Sequence, residues 1–155
     1  MSPSELEHYL HAHIPLSRAM QVHVDKVEEA SVVLSAPLAP NINHRETLFG
    51  GSASAIAILA GWSLLHTRLR RANMASRLVI QRNSMEYDLP VAGDFTGRAS
   101  LQNPAQWDAF VRMLARKGKA RIAVVSVLEY EGREAGHLVG EFVALAGDSA
   151  AGTAR

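Results

Sequence analysis

Residues 49–65 read FGGSASAIAILAGWSLL, a stretch of seventeen residues without a charged side chain. A run of about 18 apolar residues would predict a membrane span. This stretch contains three Gly and three Ser, however, and its most apolar part covers only residues 55–65. It therefore predicts a buried helix of a globular protein, from about Gly51 to Arg70. A helix that is apolar on every side must be enclosed by other elements.

The segments on either side of this helix alternate polar and apolar residues, which is the pattern of half-buried strands. The first predicted strand begins at Met20, and the others cover residues 31–36, 77–87, 94–101, 121–130 and 133–145. Two further helices are predicted, over residues 4–13 and between Asn103 and Gly118. Ser4 and Glu7 have the spacing of a capping box for the first of them.

An antiparallel sheet curled around the long helix satisfies both patterns. It encloses the apolar helix and gives each strand one solvent-exposed face and one buried face. The sequence therefore predicts an α+β protein with the hot-dog fold, as one domain over residues 1–146 followed by a disordered tail over residues 147–155. Because the free edges of such a sheet invite pairing, we expect a homodimer with a continued sheet, or a tetramer.

The composition excludes several functions. The chain has 155 residues, no Cys and a formal net charge of +1. The lack of Cys excludes a disulfide framework, a thiolate nucleophile and a Cys-ligated zinc or iron–sulfur site. The near-zero net charge argues against a general nucleic-acid binder. The first residues, MSPSELEHYL, lack the pattern of a signal peptide, so we expect a cytoplasmic protein without a membrane span.

Polar residues and two glycines meet directly before the apolar helix. Asn43, His44, Glu46 and Thr47 are side chains of the types that orient water or a carbonyl group, and Gly50-Gly51 opens the helix. Glycines allow close approach of a ligand, and the free N–H groups at a helix N-terminus can stabilise a carbonyl oxygen that becomes negative. The sequence therefore predicts the site at this junction.

The stretch NHRETLFGGSASAIAILAGW resembles a domain family described as putative thioesterases, found alone or fused behind an acetyltransferase domain in bacteria. The segment Tyr87-Asp88-Leu89-Pro90-Val91 is similar to that family's Tyr-x-x-Pro-Val. The resemblance implies the hot-dog fold and a thioester substrate carried by coenzyme A or acyl carrier protein. It also implies a binding groove between subunits. We expect no metal and no redox cofactor.

The sequence departs from the best-known hot-dog thioesterases in the central helix. Those enzymes place an Asp or Glu about two turns into the helix, whereas residues 52–65 contain no carboxylate and Ile58 stands at roughly that place. Hot-dog dehydratases pair a His with a helix carboxylate, which is missing here as well. Hydrolysis would therefore need a different set of groups to position water.

The polar junction supplies such a set. We expect the amides of Gly50 and Gly51 to form an oxyanion hole, Asn43 and His44 to orient the thioester or the water, and Glu46 to act as the base. The remaining predicted site residues assist by hydrogen bonding or line the substrate pocket: Thr47, Phe49, Ser52, Asn83 and Tyr87.

Two other functions stay open. The first is a non-catalytic module that binds acyl thioesters, and the second is a different thioester reaction such as hydration or acyl transfer. The missing helix carboxylate favours the binding module over a dehydratase, and the polar loop favours hydrolysis over binding alone. Several basic residues could hold the phosphates of coenzyme A or an acidic carrier protein: Arg68, Arg70, Arg71, Arg77, Arg112, Arg116, Lys117 and Lys119.

Overall fold

The computed structural model describes residues 1–147. Its helices are α1 (Pro3–His13), α2 (Pro15–Ala19), α3 (Gly50–Arg71) and α4 (Trp107–Lys117). Its strands are β1 (His23–Val27), β2 (Val32–Ala36), β3 (Ser76–Tyr87), β4 (Phe95–Leu101), β5 (Lys119–Tyr130) and β6 (Arg133–Ala146). The predicted tail lies outside the described residues except for Gly147, so the domain boundary at residue 146 stays a prediction.

The six strands form one antiparallel sheet in the order β1-β2-β4-β5-β6-β3. The sheet curls around α3, which confirms the predicted α+β hot-dog fold. Strands β1 and β3 are its two edges. Strand β3 pairs along its whole length with β6 and also contacts α3. It therefore places the C-terminal half of the chain next to the glycines that open the helix.

The long helix is buried on its sheet side. Ile56 and Leu64 have no exposed surface, and Gly61 lets the helix approach the sheet, since a Cβ there would lie 3.2 Å from the ring of Phe142. A second face of the helix remains half-buried at Ala55, Ile58 and Trp62. Within the described part of the chain, no helix is long and apolar enough to cross a membrane.

Two local predictions are wrong at the start of the chain. The capping box of α1 is formed by Ser2 and Glu5, whose side chains each accept from the other's backbone amide, at 3.1 and 2.7 Å. Glu7 instead reaches β1, where it accepts from the amide of Val24 at 3.2 Å. The first strand begins at His23 rather than at Met20, because the amide of Met20 donates to the carbonyl of Leu16 and continues the turn after α2.

Candidate functional site

The start of α3 leaves two backbone amides free. Phe49 precedes the helix in an extended conformation, with φ −63° and ψ 131°, and its carbonyl accepts from the amides of Ser52 and Ala53 at 3.0 and 3.1 Å. Within residues 1–147, the amides of Gly50 and Gly51 have no protein acceptor. The first amides of a helix lack intrahelical partners and carry partial positive charge, so this pair can receive an oxyanion.

Hydrogen bonds on both sides hold this helix start in place. The amide of Leu48 donates to the carbonyl of Val91, and that of Phe49 to the carbonyl of Asn41, each at 2.8 Å. Asn41 is itself buried, and its side-chain amide donates to the carbonyls of Met20 and Pro37 at 2.9 and 2.8 Å. Preorganised donors of this kind need no rearrangement when charge develops on a ligand.

The polar loop before α3 is braced by Asn43. Its side-chain oxygen accepts from the amides of Arg45 and Thr47 at 2.8 and 3.1 Å, and its NH₂ group donates to the hydroxyl of Thr47 at 3.0 Å. A β-bridge between Ile42 and Leu48 closes the loop behind this network. The structure thus gives Asn43 and Thr47 partners inside the loop, while their predicted roles toward substrate stay predictions.

His44 and Glu46 lie at the exposed tip of the same loop. Glu46 has a positive φ of 62°, a left-handed conformation that non-glycine residues adopt at a cost. Its amide donates to the carbonyl of Asn43 at 3.2 Å, which closes the turn. The loop therefore presents an imidazole and a carboxylate to solvent, beside the helix start.

A cavity of about 390 Å³ opens at the helix start, lined by Gly50, Tyr87 and Asp88 together with apolar residues that include Leu48, Ala53 and Val91. The Tyr87 ring covers Gly50, since a Cβ on that glycine would lie 3.5 Å from a ring carbon. The structure thereby brings together two predicted site residues from distant parts of the chain. It also adds Asp88, a carboxylate at the cavity that sequence reasoning used only for the family resemblance.

The other predicted pocket residues lie around this cavity rather than in its lining. The exposed Phe49 ring covers Gly51, so that a Cβ on that glycine would collide with it. Ser52 is half-buried in the first turn of α3. Asn83 is exposed on β3 and pairs with Gly140, which places it on the helix-facing side of the sheet between Tyr87 and the buried part of the strand.

Asp88 belongs to a small cluster of ionisable side chains. The Nδ1 atom of His137 lies 3.7 Å from the carboxylate of Asp88 and 3.4 Å from that of Glu134. The ligand atoms of the three residues lie within 4.8 Å of one another, so among the described residues this group could hold a cation. Sequence reasoning missed the cluster because only the pairing of β3 with β6 brings Asp88 to His137.

The side chains in the C-terminal half of α3 make packing contacts. His66 stacks between Tyr9 and Trp62, with ring centroids 4.8 and 4.6 Å away. Burial, followed by the positive charge of Arg70, lowers the pKa of His66 to about 4. Arg68 lies over the ring of Trp107 at 4.2 Å and donates to the carbonyl of Glu29. These contacts assign His66 and Arg68 to the packing of the fold.

The antiparallel sheet curled around one helix defines a hot-dog protein, and the candidate site lies at the open start of that helix. The family model described as "Putative thioesterase (yiiD_Cterm)" matches residues 3–146 of the chain. The chain belongs to this thioesterase family, as its sequence resemblance predicts.

Solved structures agree with this membership. A protein of unknown function from Chlorobaculum tepidum is 26% identical, with a TM-score of 0.87 and coverage of 94% of this chain and 98% of that one. A putative thioesterase from Shewanella oneidensis is also 26% identical, with a TM-score of 0.82 and coverage of 92% and 96%. A probable thioesterase from Pseudomonas aeruginosa has 21% identity, a TM-score of 0.79 and coverage of 94% and 97%, and it shows a shared fold.

Proposed function

We propose that this protein hydrolyses an acyl thioester whose carbonyl oxygen is held by the amides of Gly50 and Gly51. The observation that carries the proposal is the pair of amides that open a 22-residue helix at the cavity under Tyr87 and have no protein acceptor among residues 1–147. Membership of a thioesterase family supports the choice of substrate class.

In the proposed reaction, the oxygen of a water molecule attacks the carbonyl carbon and gives a tetrahedral oxyanion. The amides of Gly50 and Gly51 donate to that oxyanion. When the carbon–sulfur bond breaks, the base returns the proton that it took from water to the leaving sulfur, so the products are a thiol and a carboxylic acid that ionises to the carboxylate. The loss of one such donor costs about 10²–10³ in kcat in enzymes that use an oxyanion hole. Because a thioester is already activated, binding and orientation supply much of the remaining rate.

The water needs a base, and two carboxylates are candidates for that role. Glu46, with His44, is the base that the sequence predicts, and both residues lie at the exposed tip of the polar loop. Asp88 lines the cavity itself, beside the imidazole of His137. We favour Asp88, because it shares the cavity with Gly50. Glu46→Gln and Asp88→Asn separate the two, since only the variant that lacks the base should lose most of its kcat.

The proposal also includes the carrier of the acyl group and the oligomeric state of the protein. The thioester would be carried by coenzyme A or by an acyl carrier protein, without a metal or redox cofactor. A homodimer is supported by the free edge of β3, where Val79 is 50% exposed, and by the exposed Tyr87 and Leu89 at its end. Light scattering of the wild type against Val79→Lys tests this assembly, because a charge on the edge should favour the monomer.

A binding module without turnover is the second candidate, and one observation favours it. Helix α3 contains no Asp or Glu anywhere between Gly50 and Arg71. Release of free thiol from acyl-CoA substrates of increasing chain length tests the two functions. Catalytic release by the wild-type protein supports hydrolysis. Saturable binding of acyl-CoA without any release would overturn hydrolysis in favour of the binding module.

A further inference from the structure

A second cavity, of about 720 Å³, lies between α1 and the C-terminal end of α3. Its lining includes two arginines and two histidines, with an aromatic ring and a small residue beside them: Arg70, Arg71, His8, His13, Tyr9 and Ala12. Arg70 follows Gly51 by nineteen residues, or about 28 Å along the helix. The cavity shares no lining residue with the one at the helix start, so the two are separate places on the molecule.

Helix α1 supplies one rigid wall of this cavity. Residues 4, 8 and 12, and residues 5, 9 and 13, follow one another at the four-residue spacing that keeps side chains on one face of a helix. A different side of α1 is fixed in the core, where Leu6 and Leu10 have no exposed surface. Tyr9 stacks on His66 of α3, with ring centroids 4.8 Å apart, and this contact holds α1 against the last turns of α3.

The last turn of α3 contains three arginines that differ in their contacts. Arg68 is used in packing, since it lies over the Trp107 ring and donates to the carbonyl of Glu29 at 3.0 Å. Arg70 and Arg71 are exposed, and among residues 1–147 neither forms an ion pair or donates a side-chain hydrogen bond. Two permanently charged groups, each with five N–H donors, therefore line the cavity without a protein partner.

The negative groups near the cavity do not cancel these two charges. The Glu5 carboxylate accepts from the amide of Ser2 at 2.7 Å in the capping box of α1, and within the described chain it forms no ion pair with either arginine. The C-terminal end of a helix adds about half a negative charge, so the negative total is about −1.5 against about +2 from the arginines. Since His8 and His13 add further N–H donors, the cavity attracts anions.

The arrangement also selects the class of anion. Guanidinium groups bind phosphate oxygens through paired N–H donors. Two neighbouring arginines match a phosphate monoester, which carries a charge of about −1.5 to −2 at pH 7, better than a carboxylate with its single charge. The cavity also has the size of sites for small organic molecules, about 300–1,000 Å³. It therefore has room for an organic group beside the phosphate.

We infer that this cavity is a binding site for a phosphorylated small molecule, separate from the thioester site. Arg70 and Arg71 hold the phosphate group. His8 and His13 supply further N–H donors, and the organic part of the ligand lies against Tyr9. Because the two cavities share no lining residue, the inference does not depend on the proposed hydrolysis.

Isothermal titration calorimetry with phenyl phosphate, in a buffer free of phosphate, tests the site directly. Phenyl phosphate should bind saturably, at one site per chain. Inorganic phosphate should bind about tenfold more weakly because it lacks the organic group, and benzoate about tenfold more weakly because it lacks the phosphate oxygens. The absence of saturable phenyl phosphate binding up to millimolar concentration would overturn the inference. Equal affinities for phenyl phosphate and either comparison ion would overturn it as well.

Removal of the two guanidinium groups should abolish most of this binding. The double variant Arg70→Gln/Arg71→Gln should weaken phenyl phosphate binding by about 100-fold, since each hydrogen-bonded charge contributes about tenfold or more. Arg112→Gln/Arg116→Gln is the matched control, because it removes the same charge from the exposed side of α4 and leaves the cavity lining intact. Equal losses in the two double variants would show that the anion responds to the net charge of the protein, and the inference would be wrong.

Ala12 offers a test that keeps both arginines. Ala12→Glu places a carboxylate beside the guanidinium groups and should abolish phenyl phosphate binding, whereas the uncharged Ala12→Gln has nearly the same size and should retain it. Ala12 is exposed on α1, so both variants should keep the core, and urea denaturation checks this. Binding by Ala12→Glu at the wild-type affinity would place the anion outside this cavity and contradict the inference.

The outcomes also distinguish this site from the proposed function. Phenyl phosphate binding by a protein that releases no thiol would support the site and overturn hydrolysis, and thiol release without phenyl phosphate binding would do the reverse. Phenyl phosphate should leave the KM for acetyl-CoA unchanged. Competitive inhibition that disappears in Arg70→Gln/Arg71→Gln would show that the cavity holds the phosphates of the thioester substrate, and the inference of a separate site would be wrong.

Discussion

The two ends of α3 are built in opposite ways. At the C-terminal end the last carbonyls are satisfied by the chain that follows, since those of Arg68, Leu69 and Arg70 accept from backbone amides at 3.0–3.1 Å. At the N-terminal end, among the described residues, the amides of Gly50 and Gly51 have no protein acceptor. Helix caps normally satisfy such groups, and here Phe49 supplies no side-chain cap.

This difference shows which end serves stability and which end serves the site. The C-terminal half of α3 combines fully buried Leu64 and Leu65 with the stacked rings of Tyr9, Trp62 and His66. The N-terminal end keeps free donors, an exposed Phe49 and a cavity. Substitutions at the two ends should therefore change different properties of the protein.

The largest expected effect on stability is at the C-terminal half. Leu64→Ala should lower the free energy of unfolding by about 2–5 kcal/mol, because it leaves a cavity at a fully buried position. Phe49→Ala, at a position that is 56% exposed, should change it by less than about 0.5 kcal/mol. Urea denaturation measures both. Equal losses would show that the two ends share the stabilising role.

Asn43→Ala should have the next largest effect, because it removes the brace of the polar loop. We expect a loss of about 1–2 kcal/mol and faster trypsin cleavage after the exposed Arg45. Asn43→Asp keeps the oxygen that accepts from the amides of Arg45 and Thr47. Its stability and its cleavage rate should therefore lie between those of the wild type and those of Asn43→Ala. Cleavage of Asn43→Ala at the wild-type rate would argue against the bracing role.

His66 should make stability depend on pH. Its pKa is about 4 in the folded protein, below the ordinary histidine value of 6.5, so the unfolded chain binds the proton more readily. Stability is then complete above pH 6.5 and decreases as the pH falls toward 4. His66→Phe keeps the stacking and removes the titration, so its advantage over wild type should grow with acidity. Parallel stability curves between pH 8 and pH 4.5 would contradict this account.

Substitution of Glu46 should have a small effect on stability, in the stabilising direction. Its φ of 62° suits glycine, so Glu46→Gly should keep or raise the unfolding free energy by up to about 1 kcal/mol, and Glu46→Ala should gain nothing. Thermal unfolding of the pair tests this ordering. A Glu46→Gly variant less stable than Glu46→Ala would show that the side chain makes a stabilising contact.

The central helix and the strands could be predicted from sequence because their patterns are long. The uncharged run of residues 49–65 predicts a buried helix, and α3 extends one residue beyond the predicted helix at each end. The residues of the capping box could not be predicted, because Ser2–Glu5 and Ser4–Glu7 have the same spacing. In the structure, Glu7 accepts a hydrogen bond from β1, and Ser2 and Glu5 form the box.

The candidate site was predictable only where it is local. The loop and the glycine pair are neighbours in sequence, whereas Asp88 and His137 meet through strand pairing. A bulge between Ile80 and Arg82 also shifts the alternation of β3, so the face of Asn83 cannot be read from periodicity. The hydrogen bonds of Asn43 within its loop likewise depend on the conformation of the turn. An Asn residue is compatible with such a turn, but its presence alone does not predict that the turn forms.

The most direct test of the oxyanion hole removes one amide without moving the helix. Gly50 is the first helical residue, where proline is well tolerated, and Phe49 already has the extended conformation that precedes proline. Gly50→Ala is the matched control, since its Cβ meets the Tyr87 ring at an ordinary contact distance of 3.5 Å and its amide is kept. Thiol release by Gly50→Pro should fall by about 10²–10³ in kcat relative to Gly50→Ala. Equal rates for the two variants would contradict the oxyanion role of the helix start.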